Sequence, residues 1–374
     1  MRIVEIRERT VPVGSAMRNA SIAFDSMTAS ALSIKAEGKL TGYAFDSIGR
    51  YGKGALLRER FIPRLLQADP QSLLDAAGLI DPAACARAAM ANEKAGGHGE
   101  RPGAIGLIEA AAWDLRAKAQ GLPLWRSIAD HYGVRDAGPR IGVYASCGHF
   151  TKHLSLKDEA GRARDAGYRC IKIKLDGVDA NDDAGRVEQV SNLDIQVAVD
   201  LNGALAPAIA ERWFAALEPF KLAWIEEPAP PLDFELLHGY ARMSATPLAT
   251  GENLFSFDDA RNLLRYGGLR PERDFVQVDP LLAYGMLEYS KIIGAFEAAG
   301  WKRSRFLPHA GHLFAAHCVA GLGLGMAEAA PDSSLAYGGY WDGVRVAGGR
   351  VTIPDAPGAG YERKANLYAL LETL

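Results

Sequence analysis

The chain has 374 residues, of which 48% are hydrophobic and 23% are charged, and its formal net charge is −3 at pH 7. This composition is typical of a globular protein and excludes a mainly disordered chain. The near-neutral charge argues against a nucleic-acid partner, and no apolar run is long enough to span a membrane. The four scattered cysteines, Cys85, Cys147, Cys170 and Cys318, predict reduced thiols in a cytoplasmic protein.

The first third of the chain mixes strand and helix patterns. The opening MRIVEIRERT alternates charged and apolar residues, which predicts a β-strand rather than a signal peptide. Further short runs at 31–36 and 43–46 predict an antiparallel meander. From about residue 57 to 124 the pattern becomes helical, most clearly in AIGLIEAAAWDLRAKAQG (104–121), and Gly121 ends that helix. We therefore expect an α+β domain over residues 1–125, completed by the C-terminal segment 330–374.

From about residue 140, short apolar runs alternate with helical stretches. The runs are IGVYAS (141–146), CIKIKL (170–175), IQVAVD (195–200), KLAWIEE (221–227), PLAT (247–250), DFVQVD (274–279) and RFLPH (305–309). Strands that alternate with helices predict a parallel sheet, and at least seven evenly spaced units favour a closed (β/α) barrel over an open sheet. We place this barrel at residues 126–329. No GxGxxG follows the first strand, so a dinucleotide site is not expected.

Charged residues end five of these strands. Lys172 and Lys174 are two positions apart on one strand, so both point into the barrel unless the strand is an exposed edge. The next three strands end in Asp200, Glu226 and Glu252. Strand ends meet at one face of a barrel, and three carboxylates repel one another unless a hard divalent cation binds them. The sequence therefore predicts an oxygen-ligand site for Mg²⁺, with Mn²⁺ as the other cation that such ligands accept.

The sixth and seventh strands end with Asp279 and His309. Neighbouring strand ends can bring the carboxylate to one imidazole nitrogen, which fixes the tautomer and gives a usable acid/base. His312 and His317 fall in the following helix and are not expected to be catalytic.

Two further acids lie close to these strand ends. Glu227 follows Glu226, but strand alternation predicts that it points to the other side. Glu328, in the eighth unit, is a candidate to hydrogen-bond a substrate carboxylate when protonated. A lysine pair, a metal and an Asp–His pair together suit removal of a proton next to a carboxylate.

The motifs, in this order, resemble those of the enolase superfamily in its mandelate-racemase-like subgroup. They are AAAWDLRAKAQGLPL, KIK (172–174), VDLNG (199–203), IEEP (225–228), TGEN (250–253), Asp279 and LPHAGH (307–312). The resemblance implies an α/β fold, a modified (β/α)7β TIM-like barrel with an α+β capping domain. The resemblance implies that the metal ligands are Asp200, Glu226 and Glu252. It implies that the catalytic residues are Lys174, Lys172, His309 and Asp279, and that Asn202 and Glu328 contact the substrate.

Within that subgroup, loops of the expected cap resemble those of D-tartrate dehydratases. The stretches include RNASIAF (18–24), GRYGKG (49–54) and NEKAGGHGER (92–101). They imply that the far end of the substrate is contacted by Lys94, His98, Ser21, Ser47 and Arg50. The best-fitting activity is dehydration of D-tartrate to oxaloacetate.

Other activities stay open. They are dehydration of another sugar acid, such as an aldarate, and racemisation or epimerisation of a hydroxy acid on the same site. A non-enzymatic scaffold is disfavoured because all the candidate ligands and bases are present. We expect a small-molecule carboxylate substrate and a homo-oligomer.

Overall fold

The computed structural model describes residues 1–47, 49, 51–96, 98–150, 155–330 and 336–374. The strands are β1 (Ile3–Pro12), β2 (Thr28–Ala36), β3 (Thr41–Phe45), β4 (Arg140–Cys147), β5 (Cys170–Lys174), β6 (Gln196–Asp200), β7 (Ile225–Glu226), β8 (Leu248–Thr250), β9 (Phe275–Val276), β10 (Met326–Ala329) and β11 (Arg350–Thr352). The helices are α1 (Gly54–Leu56), α2 (Ile62–Gln67), α3 (Pro82–Ala89), α4 (Glu100–Gln120), α5 (Leu124–Tyr132), α6 (Leu156–Asp165), α7 (Ala180–Ser191), α8 (Ala210–Leu217), α9 (Phe234–Met243), α10 (Phe257–Tyr266), α11 (Met286–Ala298), α12 (Leu313–Leu322) and α13 (Ala365–Leu371). A π-helical turn, Leu57–Phe61, joins α1 to α2.

The first three strands form the antiparallel meander that the sequence predicts, in the order β1–β2–β3. Helix α4 packs on this sheet, and a Cβ atom at Gly42 would lie 2.2 Å from the carbonyl oxygen of Ala111. Helix and strand can approach this closely only because position 42 has no side chain. The end of the chain returns to the same sheet, where Tyr368 of α13 lies against Tyr43 with ring centroids 6.1 Å apart.

The remaining main strands form a parallel barrel in the order β10–β4–β5–β6–β7–β8–β9. The predicted strand at 305–309 is reduced to one bridge between Phe306 and Val276, and the N–H of Gly325 donates to the carbonyl oxygen of Phe306 at 3.0 Å. Phe306 thus joins β9 to the segment that enters β10 and closes the ring. Seven helices, α6 to α12, connect the eight strand positions, which confirms the expected (β/α)7β barrel.

Alternation along the barrel strands separates two interior layers. One buried apolar layer fills the lower interior and consists of Tyr144, Cys170, Ala198, Trp224, Ala249 and Leu307. Residues two positions further along β5, β6 and β7 point the same way and lie above that layer. These residues are Lys172, Asp200 and Glu226, so the fold itself stacks charged groups at the carboxyl ends of the strands.

The loop after β1 reaches across to the barrel mouth. The N–H of Phe150 donates to the carbonyl oxygen of Arg18 at 2.8 Å, and Ser21 Oγ donates to the carbonyl oxygen of Asn202 at 3.0 Å. All four cysteines are buried as free thiols. Within the described ranges, no helix is long and apolar enough to cross a membrane. The domain boundaries after residues 125 and 329 stay predictions.

Candidate active site

Charged side chains lie at the same level on neighbouring strands, at the carboxyl ends of the barrel strands. Strand register aligns Lys174 with Asp200, and Asp200 with Glu226. Glu252 follows β8, the next strand in the ring. Asp200 and Glu226 are fully buried, and Glu252 is 3% exposed. Equal spacing of the strand ends in the sequence therefore becomes a compact cluster in space.

The three predicted metal ligands lie together. One carboxylate oxygen from each of Asp200, Glu226 and Glu252 lies within 4.8 Å of the others. Each carboxylate also has a basic neighbour. Lys174 Nζ bonds Asp200 Oδ2, Lys172 Nζ bonds Glu226 Oε1, and His309 Nε2 lies 3.1 Å from Glu252 Oε2.

The charges around this cluster do not balance. Its buried carboxyl groups are Asp200, Glu226, Glu227, Glu252, Asp279 and Glu328, and its buried basic groups are Lys172, Lys174 and His309. Burial, with Asp200, Glu328 and Glu252 close by, raises the pKa of Glu226 even though Lys172 opposes the shift. Burial and Glu252 likewise raise the pKa of Glu227. An excess of buried carboxyl oxygens fits a hard divalent cation such as Mg²⁺.

Neutral side chains hold the ligand carboxylates in place. Glu226 Oε2 accepts hydrogen bonds from Trp224 Nε1 at 3.1 Å and from Gln277 Nε2 at 2.6 Å. Asn253 Nδ2 donates to Glu227 Oε1 at 2.8 Å and to Glu252 Oε1 at 3.2 Å. These partners were not predicted from the sequence. Gln277 had one signal, since it lies in the apolar run DFVQVD, two positions before Asp279.

The prediction for Glu227 was wrong. Strand β7 ends at Glu226, and Glu227 has a left-handed backbone with φ 39°. Alternation does not extend past the end of a strand, so the Glu227 carboxyl turns toward the site through Asn253.

The predicted Asp279–His309 pair is present in a loose form. His309 Nδ1 lies 3.7 Å from Asp279 Oδ2. Burial alone would lower the pKa of His309, but the Glu252 carboxylate and Asp279 raise it to about 10. Burial opposes ionisation of Asp279, yet the imidazoles His312 and His309 hold its pKa well below the ordinary value. Here the sequence interpretation of His312 was incomplete, because its Nε2 lies 3.1 Å from Asp279 Oδ1.

A cavity of about 550 Å³, measured with its open mouth, lies against this cluster. Its barrel side carries Ser146, His149, Lys174, Asn202, Glu252, His309 and Glu328, and its cap side carries Met17, Asn19, Ile22 and Phe24. Burial, with Lys174 and Lys172 nearby, lowers the pKa of His149 to about 3, so this imidazole is neutral. Among the described residues, Asn202 Oδ1 and His149 Nδ1 are buried without a hydrogen-bond partner. Both atoms are therefore available to a bound hydroxyl or carboxyl group.

The predicted substrate-side residues have different surroundings. Asn202 and Glu328 line the cavity, and Ser21 lies beside it, where its Oγ donates to the carbonyl oxygen of Asn202. Glu328 is anionic rather than protonated: burial raises its pKa, but Lys172 (Nζ 3.1 Å away), His309 and Lys174 bring it below the ordinary value. The remaining residues do not line the cavity, or lie outside the described part.

Ser47 bonds Asp279 instead of facing the cavity. Lys94 and His98 are exposed, and the His98 ring lies against Phe255 with centroids 6.0 Å apart. Arg50 lies outside the described residues.

Comparisons with known proteins agree with this geometry. A family model described as enolase C-terminal domain-like matches residues 155–366. A 3,6-anhydro-alpha-L-galactonate cycloisomerase of Streptomyces coelicolor is 30% identical over 284 residues, which cover 71% of this chain and 71% of that protein. An L-talarate/galactarate dehydratase of Salmonella typhimurium is 33% identical over 199 residues, 51% of this chain and 46% of that protein. The solved structure of an L-talarate dehydratase from Polaromonas sp. JS666, complexed with Mg and L-glucarate, has a TM-score of 0.78 and 25% identity, and the alignment covers 96% of this chain and 94% of that one.

Proposed function

This chain belongs to the enolase superfamily, and from that premise we propose that it is a Mg²⁺-dependent acid-sugar dehydratase whose substrate is D-tartrate. The observation that carries the proposal is the position of two basic groups at the two ends of the carboxylate triad. Lys174 pairs with Asp200 at one end, and His309 approaches Glu252 at the other. A carbon held above the triad therefore has a proton acceptor on one side and a proton donor on the other.

Asp200, Glu226 and Glu252 would hold the Mg²⁺ ion. When bound, the ion would act as a Lewis acid toward the substrate carboxylate. Lys172 is fully buried beside Glu226 and Glu328, which raise its pKa well above the ordinary value although burial opposes the shift. It stays cationic and offsets the negative charge that grows on the substrate carboxylate when the α-proton leaves.

The proposed steps balance without a further reactant. Lys174 takes the hydrogen on the carbon next to the carboxylate as a proton. The bond to the β-hydroxyl then breaks, and that group leaves as water with a proton from His309. The resulting enol takes up a proton on carbon, loses the proton of its hydroxyl group and becomes a 2-keto acid, which is oxaloacetate when the substrate is D-tartrate.

A turnover screen tests the proposal. The purified protein with Mg²⁺ is incubated with the tartrate stereoisomers and with four- to six-carbon sugar acids, and 2-keto acid formation is measured. We expect oxaloacetate from D-tartrate with the wild type and none with Glu226→Gln. Turnover of a longer acid would discard D-tartrate and keep the dehydratase. Absence of any 2-keto acid, from protein that binds Mg²⁺, would contradict the dehydratase.

A second candidate is an isomerase reaction on the same site. It is favoured by the similarity to a cycloisomerase over 71% of the chain and by the two basic groups, which can exchange a proton without loss of water. Racemisation or epimerisation would leave no 2-keto acid and would introduce solvent deuterium into recovered substrate. Cycloisomerisation would convert a cyclic anhydro sugar acid into a 2-keto acid of the same mass.

A further inference from the structure

Three side chains share the Asp279 carboxylate, and the proposed reaction uses only one of them. Oδ1 accepts the N–H of Leu281 at 2.8 Å and lies 3.1 Å from His312 Nε2. Oδ2 accepts from Ser47 Oγ and lies 3.7 Å from His309 Nδ1. Each oxygen is thus fixed from a different part of the chain.

The tautomer of His312 follows from the start of helix α12. His312 is the residue before this helix, and its Nδ1 accepts the backbone N–H of Ala315 at 3.1 Å. A nitrogen that accepts an N–H carries no proton, so the proton of the neutral ring is on Nε2. Nε2–H therefore donates to Asp279 Oδ1.

The loop between the two histidines explains why both reach one carboxylate. Ala310 and Gly311 both have left-handed backbones, with φ of 78° and 64°. Two such residues in succession turn the chain sharply, so His309 and His312 lie on different oxygens of Asp279. His309 Nδ1 is buried and, within the described residues, lacks a hydrogen-bond partner. An acceptor for the proton that Nδ1 must carry is Asp279 Oδ2, 3.7 Å away.

We propose that His312 is a positioning residue, which holds Asp279 through Oδ1 so that Oδ2 faces His309 Nδ1. This role rests on the proposed function, in which His309 gives a proton to the departing hydroxyl. Without His312, the described partners of Asp279 are the backbone N–H groups of Leu281 and Leu282 on Oδ1 and Ser47 on Oδ2, so the carboxylate is held less firmly and orients the His309 ring less well. Catalysis falls while substrate and Mg²⁺ still bind.

Two substitutions separate this role from helix capping. In His312→Asn the amide oxygen replaces Nδ1 and keeps the cap, but the shorter side chain no longer reaches Asp279. In His312→Gln the amide nitrogen occupies the place of Nε2 and keeps the bond to Asp279, but the cap is lost. We expect roughly a 10- to 100-fold lower kcat for His312→Asn, with KM within about twofold and an unchanged melting temperature. His312→Gln should keep kcat within a few-fold of wild type and melt a few degrees lower.

His317 supplies the matched control. It lies in the same helix, its Nδ1 accepts the N–H of Trp125 at 3.0 Å, and its Nε2 lies 3.1 Å from the carbonyl oxygen of Ala359. Its Asn and Gln variants lack any contact with Asp279 to lose, so kcat per folded molecule should not change. Equal kcat losses in His312→Asn and His312→Gln, or a wild-type kcat in folded His312→Asn, would overturn the proposal.

A readout without substrate keeps the proposal independent of the reaction. Protein labelled with ¹⁵N-histidine reports ring tautomers by NMR, and the His312 signals are those missing from His312→Asn. We expect a ring whose Nε2 carries a proton. A ring whose Nε2 carries no proton would overturn the assignment. If the wild type turns over no acid, the proposed function fails, and this spectrum still decides the contact.

Discussion

The three carboxylates of the acidic triad each contact a basic side chain. Lys174, Lys172 and His309 neutralise part of the charge on Asp200, Glu226 and Glu252. The bonds also hold the two proposed proton carriers against the ligands, at the ends of the triad. The groups proposed for metal binding, proton removal and proton delivery are therefore in direct contact, and single substitutions can test each role separately.

Removing either proton carrier should stop turnover. Lys174→Ala and His309→Asn each lose a group whose acid/base help is worth typically 10²–10⁴-fold, while circular dichroism should show an intact fold. In D₂O, His309→Asn should still exchange the substrate's α-hydrogen because Lys174 remains, whereas Lys174→Ala should not. Near-normal turnover by either variant would refute the role given to that residue, and exchange by Lys174→Ala alone would reverse the assignment of base and acid.

Mg²⁺ should stabilise the folded chain against heat. An ion that binds only the folded state raises its stability by mass action, about 2.7 kcal/mol at 100 times the dissociation constant. The melting temperature of the wild type should therefore rise as Mg²⁺ is added, and that of Glu226→Gln should stay flat. Asp274→Asn is the matched control. Asp274 is a buried carboxylate that pairs with Arg270, and it lies just before the start of β9, away from the carboxyl ends of the strands where the triad lies. A flat wild-type response would contradict the metal site.

At the scale of elements, helix α4 joins the cap sheet to the barrel through a buried acid. Glu109 of α4 accepts the N–H of Leu287 in the first turn of α11 at 3.1 Å. Gly285, the residue just before helix α11, has φ 91°, and a Cβ atom at this position would lie 1.6 Å from Glu109 Oε2. A helix N-terminus favours an anion, but burial dominates and raises the pKa of Glu109 to about 8.

This shift predicts how stability depends on pH. Between the ordinary pKa of 4.5 and about 8, the folded chain keeps a proton that the unfolded chain has released. The free energy of unfolding therefore falls as pH rises through this window and levels off above it. Glu109→Gln has no such proton. Its free energy of unfolding, relative to that of the wild type, should therefore increase by about 3–5 kcal/mol across the window. Calorimetry below, within and above the window measures this, and a pH-independent difference in melting temperature would contradict it.

Local patterns predicted that the acidic triad and the lysines lie together because their geometry is set by single strands. Alternation of period two fixes the side of Lys172 and Lys174, and even spacing fixes the level of Asp200, Glu226 and Glu252. The prediction failed at Glu227, where the strand ends and the backbone turns. It also left His312 without a role, since its contact with Asp279 depends on two left-handed residues in the connecting loop.

The cavity wall is formed by segments that are far apart in the sequence. Met17 and Phe24 lie on a loop after β1 and reach the site only because the cap docks on the barrel. Sequence patterns hold no local signal for such a contact. The prediction of Lys94 and His98 as substrate contacts came from the resemblance to relatives, and both side chains are exposed. Fold class and catalytic layer could be predicted, whereas the residues that select the substrate depend on how distant segments meet.

Turnover in D₂O distinguishes the candidate reactions by the carbon at which solvent deuterium is incorporated. The wild-type protein with Mg²⁺ is incubated with D-tartrate in D₂O, and the products are analysed by NMR and mass spectrometry. We predict oxaloacetate with solvent deuterium on its methylene carbon, because the enol left by loss of the α-hydrogen and the β-hydroxyl is protonated from solvent. Deuterium in recovered substrate without water loss would favour the racemase or epimerase. Neither product nor exchange, from protein that binds Mg²⁺ and across the whole acid panel, would contradict proton abstraction at this site.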